Sequence, residues 1–295
     1  MTSHRLLGLA GAALLALTAA GCPDPEPESP GFTAIASIGG CSASIVALAG
    51  AQPDDKALML TNGHCIRESD GFLNAGEALA AVPTERPVDI IDPDALVPGT
   101  SMPAPPDPST GVVAHVTATE LVYATMTGTD MALYRLDTSY RDLEEIGVQA
   151  MTIADRRAEV GTAIHVVSGF WHTNYRCTID AFVDELREDM WSWQESMRYR
   201  QPGCETTHGT SGSPVIDADT LEVVGVNNTG NDQGASCTFD NPCEVDADGQ
   251  VTATQGAAYG QQTYWIYGCL GADHQLDFDR PGCRLTKPTT PPPAP

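Results

Sequence analysis

Cationic side chains are scarce in this chain. Lys and Arg number 15 against 39 Asp and Glu, a formal net charge of −24 over 295 residues. Phosphate binding needs clustered Lys and Arg, so the balance argues against a nucleic-acid partner. It argues equally against adsorption to anionic lipid by charge. No internal apolar run reaches the roughly 18 residues of a membrane-spanning helix. The paired short Cys/His spacings of a zinc site are missing, and no repeat of fixed period is visible. Asp246-Ala247-Asp248-Gly249 begins like a calcium loop but lacks the downstream bidentate Glu, so it reads as an acidic turn. Neither a metal nor a cofactor is expected. What remains is a chain with 42% hydrophobic residues, enough for a packed core and too many for disorder. Its length fits one or two domains of about 150 residues each. A strongly negative surface favours solubility outside the cell.

The N-terminus reads as an address. Met1 to Arg5 is short and weakly basic, and Leu6 to Ala20 is apolar except for Gly8, Gly11 and Thr18. That is the layout of a signal peptide, assigned to residues 1–21. Ala20-Gly21-Cys22 is similar to the end of a bacterial lipobox, in which the Cys is lipidated; Ala19 departs from the usual Leu. Cys22 is therefore the expected lipidation site, with plain secretion as the alternative. Residues 22–30 form an acidic, Pro-rich linker, fit to tether a folded domain. The expected location is the bacterial cell envelope or the extracellular space. Membrane contact would come only through the lipid.

Nine Cys are present, and setting Cys22 aside leaves 9 − 1 = 8. These are Cys41, Cys65, Cys177, Cys204, Cys237, Cys243, Cys269 and Cys283. An even set in an exported chain points to as many as four disulfides.

Nearly every periodic segment reads as strand. Ala43 to Leu48, Ala57 to Thr61, Gly111 to Thr119, Leu121 to Thr125, Met131 to Leu136, Ala163 to Val167 and Val223 to Val226 are short apolar or β-branched runs. Trp191 to Tyr199 alternates: Trp191, Trp193, Glu195, Met197 and Tyr199 fall on one face, and Ser192, Gln194, Ser196 and Arg198 on the other. Period two over such a length predicts a half-buried strand. Asp180 to Asp189 fits helix or strand, with strand preferred. Pro83 to Thr110 holds eight prolines and is expected to be a surface excursion. Many short strands between turn signals predict an all-β sandwich or barrel. Residues 285–295 are a Pro/Thr-rich tail, expected to be disordered.

Three segments carry chemistry. Thr61-Asn62-Gly63-His64-Cys65 follows a buried strand, Thr129-Asp130-Met131-Ala132-Leu133 opens another, and Gly209-Thr210-Ser211-Gly212-Ser213-Pro214 precedes Val215-Ile216-Asp217. A serine hydroxyl is a poor nucleophile at neutral pH, and an imidazole can take its proton. A carboxylate on the far ring nitrogen fixes the tautomer and stabilises the imidazolium. Glycines around a serine let the backbone aim two N–H groups at one developing oxyanion. By position these are the amides of Gly209 and Ser211.

In order and content these segments resemble the trypsin-like, chymotrypsin-fold serine peptidases, over roughly Cys41 to Asn228. Thr61 to Cys65 is similar to the family's Thr-Ala-Ala-His-Cys. Asp130 to Leu133 resembles its Asp-(Ile/Leu)-Ala-Leu, and Gly209 to Pro214 its Gly-Asp-Ser-Gly-Gly-Pro. The resemblance implies two six-stranded antiparallel β-barrels, residues 31–149 and 150–284, with the active site between them. It implies His64 as base, Asp130 as its orienting carboxylate and Ser211 as nucleophile. It also implies a Cys41–Cys65 disulfide; for the rest, sequence proximity favours Cys177–Cys204, Cys237–Cys243 and Cys269–Cys283.

Departures from the family pattern limit what carries over. Thr210 stands where the family has an Asp that pairs with a freed N-terminal amine, so activation of that kind is not expected. Gly-x-Ser-Gly-Ser-Pro is similar to glutamyl endopeptidases, with Thr206 where they have a pocket Thr. Asn227, however, stands where they carry a substrate-binding His. Glu205 lies at the spacing of trypsin's acidic pocket base and would favour a basic side chain before the scissile bond. Glu205, Thr206 and Asn227 are thus the candidate substrate-binding residues. His208 is expected near the cleft, and His115 and His165 within the sheets. Trp171, Trp191, Trp193 and Trp265 are expected in the core or the cleft wall. Residues 237–283 have no counterpart in the family core. The expected protein is a monomeric serine endopeptidase acting on proteins or peptides. An inactive binding or adhesion module on the same scaffold, or an esterase with the same nucleophile, is the alternative.

Overall fold

Alternation along the chain becomes strand, and strands close into rings. The computed structural model describes Met1 and residues 31–66, 71–99, 111–271 and 275–288. The expected signal peptide beyond Met1, Cys22, the linker to Pro30 and residues 289–295 lie outside the described residues.

The first ring uses β1 (Ile35–Ile38), β2 (Cys41–Ala47), β3 (Lys56–Thr61), β4 (Ala78–Ile91), β6 (Val112–Thr125) and β7 (Met131–Ser139). Between them in sequence, β5 is the short Val97–Pro98. The spatial order is β1-β4-β6-β7-β3-β2, and β2 pairs back onto β1, so six antiparallel strands close with no free edge. The two-residue β8 (Met151–Thr152) adds to β2 in parallel.

The second ring uses β9 (Ala163–Ser168), β10 (Thr173–Glu188), β11 (Trp191–Tyr199), β12 (Pro214–Asp217) and β13 (Val223–Gly230). After β14 (Cys243–Val245) and β15 (Val251–Thr252), it is completed by β16 (Ala258–Gln262). Its order is β11-β16-β13-β12-β9-β10, and β10 pairs with β11 to close it. The β14–β15 hairpin lies against β10, and the acidic turn at Asp246 caps it, with Asp246 Oδ1 accepting from the Asp248 and Gln250 amides. The fold is the two-barrel chymotrypsin-like architecture. Helix is confined to Tyr140–Glu145 and Trp265–Gly268 and to two 3-10 turns among the described residues. None of it is long and apolar enough to cross a membrane.

Alternation in β11 explains how the rings meet. Trp191, Trp193, Met197 and Tyr199 are buried, and Gln194 is exposed. Both indoles cross to the first ring's loops: Trp191 Nε1 donates to Leu73 O at 2.8 Å, and Trp193 Nε1 to Met126 O at 3.0 Å. The backbone follows, with Gly128 N donating to Ser192 O and Gln194 N to Gly128 O. A second apolar cluster joins Ile35, Val46 and Leu60 of the first ring to Val167, Ile216 and Val226 of the second. Each such side chain, fully buried, contributes about 1.5–3 kcal/mol.

Two expectations need correcting. Pro83 to Ile91 is not part of a loop; it continues β4. The prolines are tolerated because β4 meets β1 only at Asp89 and Ile90, so around Pro83 and Pro87 only β6 pairs with it. A strand with one neighbour can lose an N–H on its open side. Register shifts between Pro83 and Arg86 absorb the irregularity. Within the same stretch, Pro93–Ala95 forms a 3-10 turn and Val97–Pro98 pairs with Thr173 and Asn174. The tail is also ordered at its start. Leu285 is buried in the inter-ring cluster, Thr286 O accepts from Tyr123 Oη at 2.9 Å, and Thr286 Oγ1 donates to Thr127 O at 2.8 Å. An apolar Leu and two hydrogen bonds outweigh the disorder bias of the following Thr/Pro composition.

Candidate active site

The first ring presents His64 on a short turn. After β3 the chain enters the 3-10 turn Gly63–Ile66, pinned by a disulfide from Cys65 to Cys41 at the start of β2. The other three disulfides join Cys177 to Cys204, Cys237 to Cys243 and Cys269 to Cys283. Asp130 sits immediately before β7 and is fully buried. Its carbonyl accepts from Asn62 Nδ2 at 2.8 Å. One carboxylate oxygen accepts from the His64 backbone N–H at 3.0 Å, and the other lies 2.7 Å from His64 Nδ1. A carboxylate only accepts, so Nδ1 carries the proton and the Nε2 lone pair is left free. Burial alone would lower the His64 pKa. The charge of Asp130 and its hydrogen bond, with smaller help from Glu188 and Asp240, outweigh burial and raise it above the ordinary imidazole value.

The second ring presents Ser211 on the loop before β12. Gly212, at φ +83°, is needed here: a Cβ would fall 2.0 Å from Ser42 O and 2.2 Å from Thr61 Oγ1. That close approach lets β2 hold the loop. Ser42 N donates to Ser211 O at 2.8 Å, and Ser42 Oγ donates to Gly209 O at 2.9 Å. The Ser211 hydroxyl donates to Asn228 O at 3.2 Å. Among the described residues, the amides of Gly209 and Ser211 donate to no protein acceptor, whereas those of Thr210, Gly212 and Ser213 all do.

His64, Asp130 and Ser211 line one open cleft, which also includes Thr206. Glu205 is exposed and stands outside that lining. Asn227 is buried and turns its amide onto Thr210, with Nδ2 at 3.1 Å from Thr210 O and 3.0 Å from Oγ1. His208, on the cleft rim, pairs with Asp232 at 2.9 Å. The segment after Cys237 shapes the wall through Phe239 and Asp240. Phe72 meets His64 edge-on and Phe239 at a tilt, with ring centroids 6.2 and 5.6 Å away.

The acidic wall residue that sequence reasoning missed is Glu188. It ends β10, is buried in the cleft wall, and accepts from Thr229 Oγ1 at 2.6 Å and Asp240 N at 2.9 Å. Burial pushes its pKa up, against those two hydrogen bonds. The described lining holds Glu188, Asp232 and Asp240 but no Lys or Arg. Position at the tip of the β10–β11 hairpin was its only sequence signal.

A family model described as a trypsin-like peptidase domain matches residues 41–226. No curated protein matches the chain. Among solved structures, the MamO protease domain from Magnetospirillum magneticum is similar at 14% identity and a TM-score of 0.48, over 82% of this chain and 97% of that one. A Nocardiopsis protease is similar at 15% identity and a TM-score of 0.42, over 78% and 90%. Cellulomonas bogoriensis chymotrypsin is similar at 16% identity and a TM-score of 0.39, over 78% and 90%.

Proposed function

We propose that this chain, which belongs to the trypsin-like peptidase domain family, is an exported serine endopeptidase working through Ser211, His64 and Asp130. The observation that carries the reading is the His64–Asp130 pair. A buried carboxylate holds Nδ1 at 2.7 Å in the cleft that Ser211 also lines. In the reaction the Ser211 hydroxyl turns from Asn228 to His64 Nε2, which takes its proton as Oγ attacks the peptide carbonyl. Asp130 stabilises the imidazolium formed. The oxyanion is received by the unpaired Gly209 and Ser211 amides, each such donor being worth about 10²–10³ in rate. His64 then protonates the leaving amine, and water clears the acyl-enzyme.

Four disulfides support an oxidising compartment, and with it export. A lipid on Cys22 remains part of the same proposal. The carboxylate-rich lining favours substrates with cationic side chains. One observation favours an inactive binding module instead: the Ser211 hydroxyl is hydrogen-bonded to Asn228 and not to His64. Fluorophosphonate labelling separates the two readings. The proposal expects covalent labelling of the wild type, none of Ser211→Ala, and a fall in peptide cleavage on the order of 10⁶. A wild type that resists the probe would overturn it.

A further inference from the structure

A trans peptide points its C=O and N–H in opposite directions. The two unpaired amides of the loop therefore owe their direction to whatever holds the carbonyls behind them. Those carbonyls are His208 O, for the Gly209 amide, and Thr210 O, for the Ser211 amide; neither peptide is cis. Thr210 O is held twice, by Ser213 N at 3.0 Å and Asn227 Nδ2 at 3.1 Å. His208 O is held by one donor among the described residues, the indole of Trp171, at 2.6 Å.

We infer that Trp171 is the positioning residue of the oxyanion site: its indole N–H on His208 O turns the Gly209 amide into the cleft beside that of Ser211. The inference rests on the serine-protease reading above. Gly209 sits at φ +88°, where a glycine has no side chain to resist rotation of the preceding peptide. Released from Trp171, that peptide is free to turn over and present its carbonyl, an acceptor, where the oxyanion needs a donor. Trp171 is held at its backbone and at its ring. Trp171 N donates to Ser168 Oγ at 3.1 Å, and its ring meets Phe170 edge-on with centroids 4.9 Å apart. It also lies close under the glycine: a Cβ on Gly209 would fall 2.7 Å from Trp171 Nε1 and 2.6 Å from Phe170 Cδ1. The opposite face of the same loop is fixed by Ser42 Oγ on Gly209 O, so the next peptide cannot compensate. Trp171 touches no reacting atom; it acts through the peptide.

The test is Trp171→Phe, which keeps an aromatic ring and removes the donor, alongside a benzothienyl side chain at position 171, which keeps the indole shape without N–H. Three quantities are read in each protein: kcat and KM for a peptide amide, affinity for the cleaved acid product, and affinity for a peptide boronate that forms a tetrahedral adduct. The expected result is a fall in kcat of about tenfold or more, part of what a whole donor supplies. Boronate affinity should fall by the same factor, with KM and product affinity within about twofold. An unchanged kcat in both variants would overturn the inference. So would product affinity falling in step with kcat, which marks general distortion of the cleft. Should the Phe variant misfold, the benzothienyl protein carries the test. Failure of the underlying reading looks different: the wild type itself would not react with the boronate or fluorophosphonate.

Discussion

The two rings build opposite kinds of half-site. The first is closed: each carboxylate oxygen of Asp130 has its donor, His64 Nδ1 has its acceptor, and a disulfide pins the turn. The second is open: among the described residues two amides have no protein acceptor, and the hydroxyl has the long contact to Asn228. Saturation serves a group that must hold one tautomer through the reaction. Freedom from protein acceptors suits groups whose partner exists only in the transition state, because a donor tied to the protein at rest gives less differential stabilisation. On the proposed reading, one side of the cleft holds its groups by hydrogen bonds and the other leaves donors for the substrate.

Breaking the closed half should have the larger effect. Asp130→Asn removes the acceptor that fixes Nδ1–H, and kcat is expected to fall by about 10⁴ with the fold retained. Steady-state kinetics with circular dichroism checks this; a loss below tenfold would mean that Asp130 does not orient His64. Displacing the open half comes next. Gly212→Ala drives a Cβ into Ser42 O and Thr61 Oγ1 at 2.0 and 2.2 Å. The loop must shift, and a displacement near 1 Å costs about 10²-fold in kcat. Normal turnover by that variant would show that the seam between β2 and the loop does not set the site.

The smallest effect sharpens the comparison through charge. His64 must be neutral to act as base, so kcat/KM should rise with pH through a midpoint above the ordinary imidazole value, because its pKa is raised. Glu188 contributes to that rise from across the cleft. Glu188→Gln removes a negative charge, destabilises the imidazolium and should move the acid limb to lower pH. A limb that moves upward, or not at all, would remove Glu188 from the electrostatics of His64.

Legibility in the sequence followed locality. Trp191 to Tyr199 was readable as a strand with those bounds, but its alternation breaks at Glu195, at φ +52°, so that Ser196 is buried along with Met197. Asp180 to Asp189 was readable only as a preference, since burial of its strand part, up to Glu188, depends on β11 and β14 on either side. Pro83 and Pro87 misled because proline chemistry excludes two-sided pairing, and β4 is one-sided there. The three motif segments single out His64, Asp130 and Ser211, and all three line one cleft. The grip of Trp171 on His208 spans 37 residues and involves a backbone carbonyl, which no side-chain pattern can advertise. Glu205 stands at a pocket residue's spacing from Ser211, whereas the buried wall carboxylate, Glu188, arrives from the β10–β11 hairpin, remote in sequence.

The seryl side chain at position 42 has a temporal consequence. It fastens to Gly209, 167 residues downstream, while its own backbone N–H fastens to Ser211. A chain leaving the ribosome acquires His64 long before Gly209 and Ser211, to which the first ring is fastened. On the proposed reading, cleavage of itself or of its neighbours is expected only once the last barrel has been laid down.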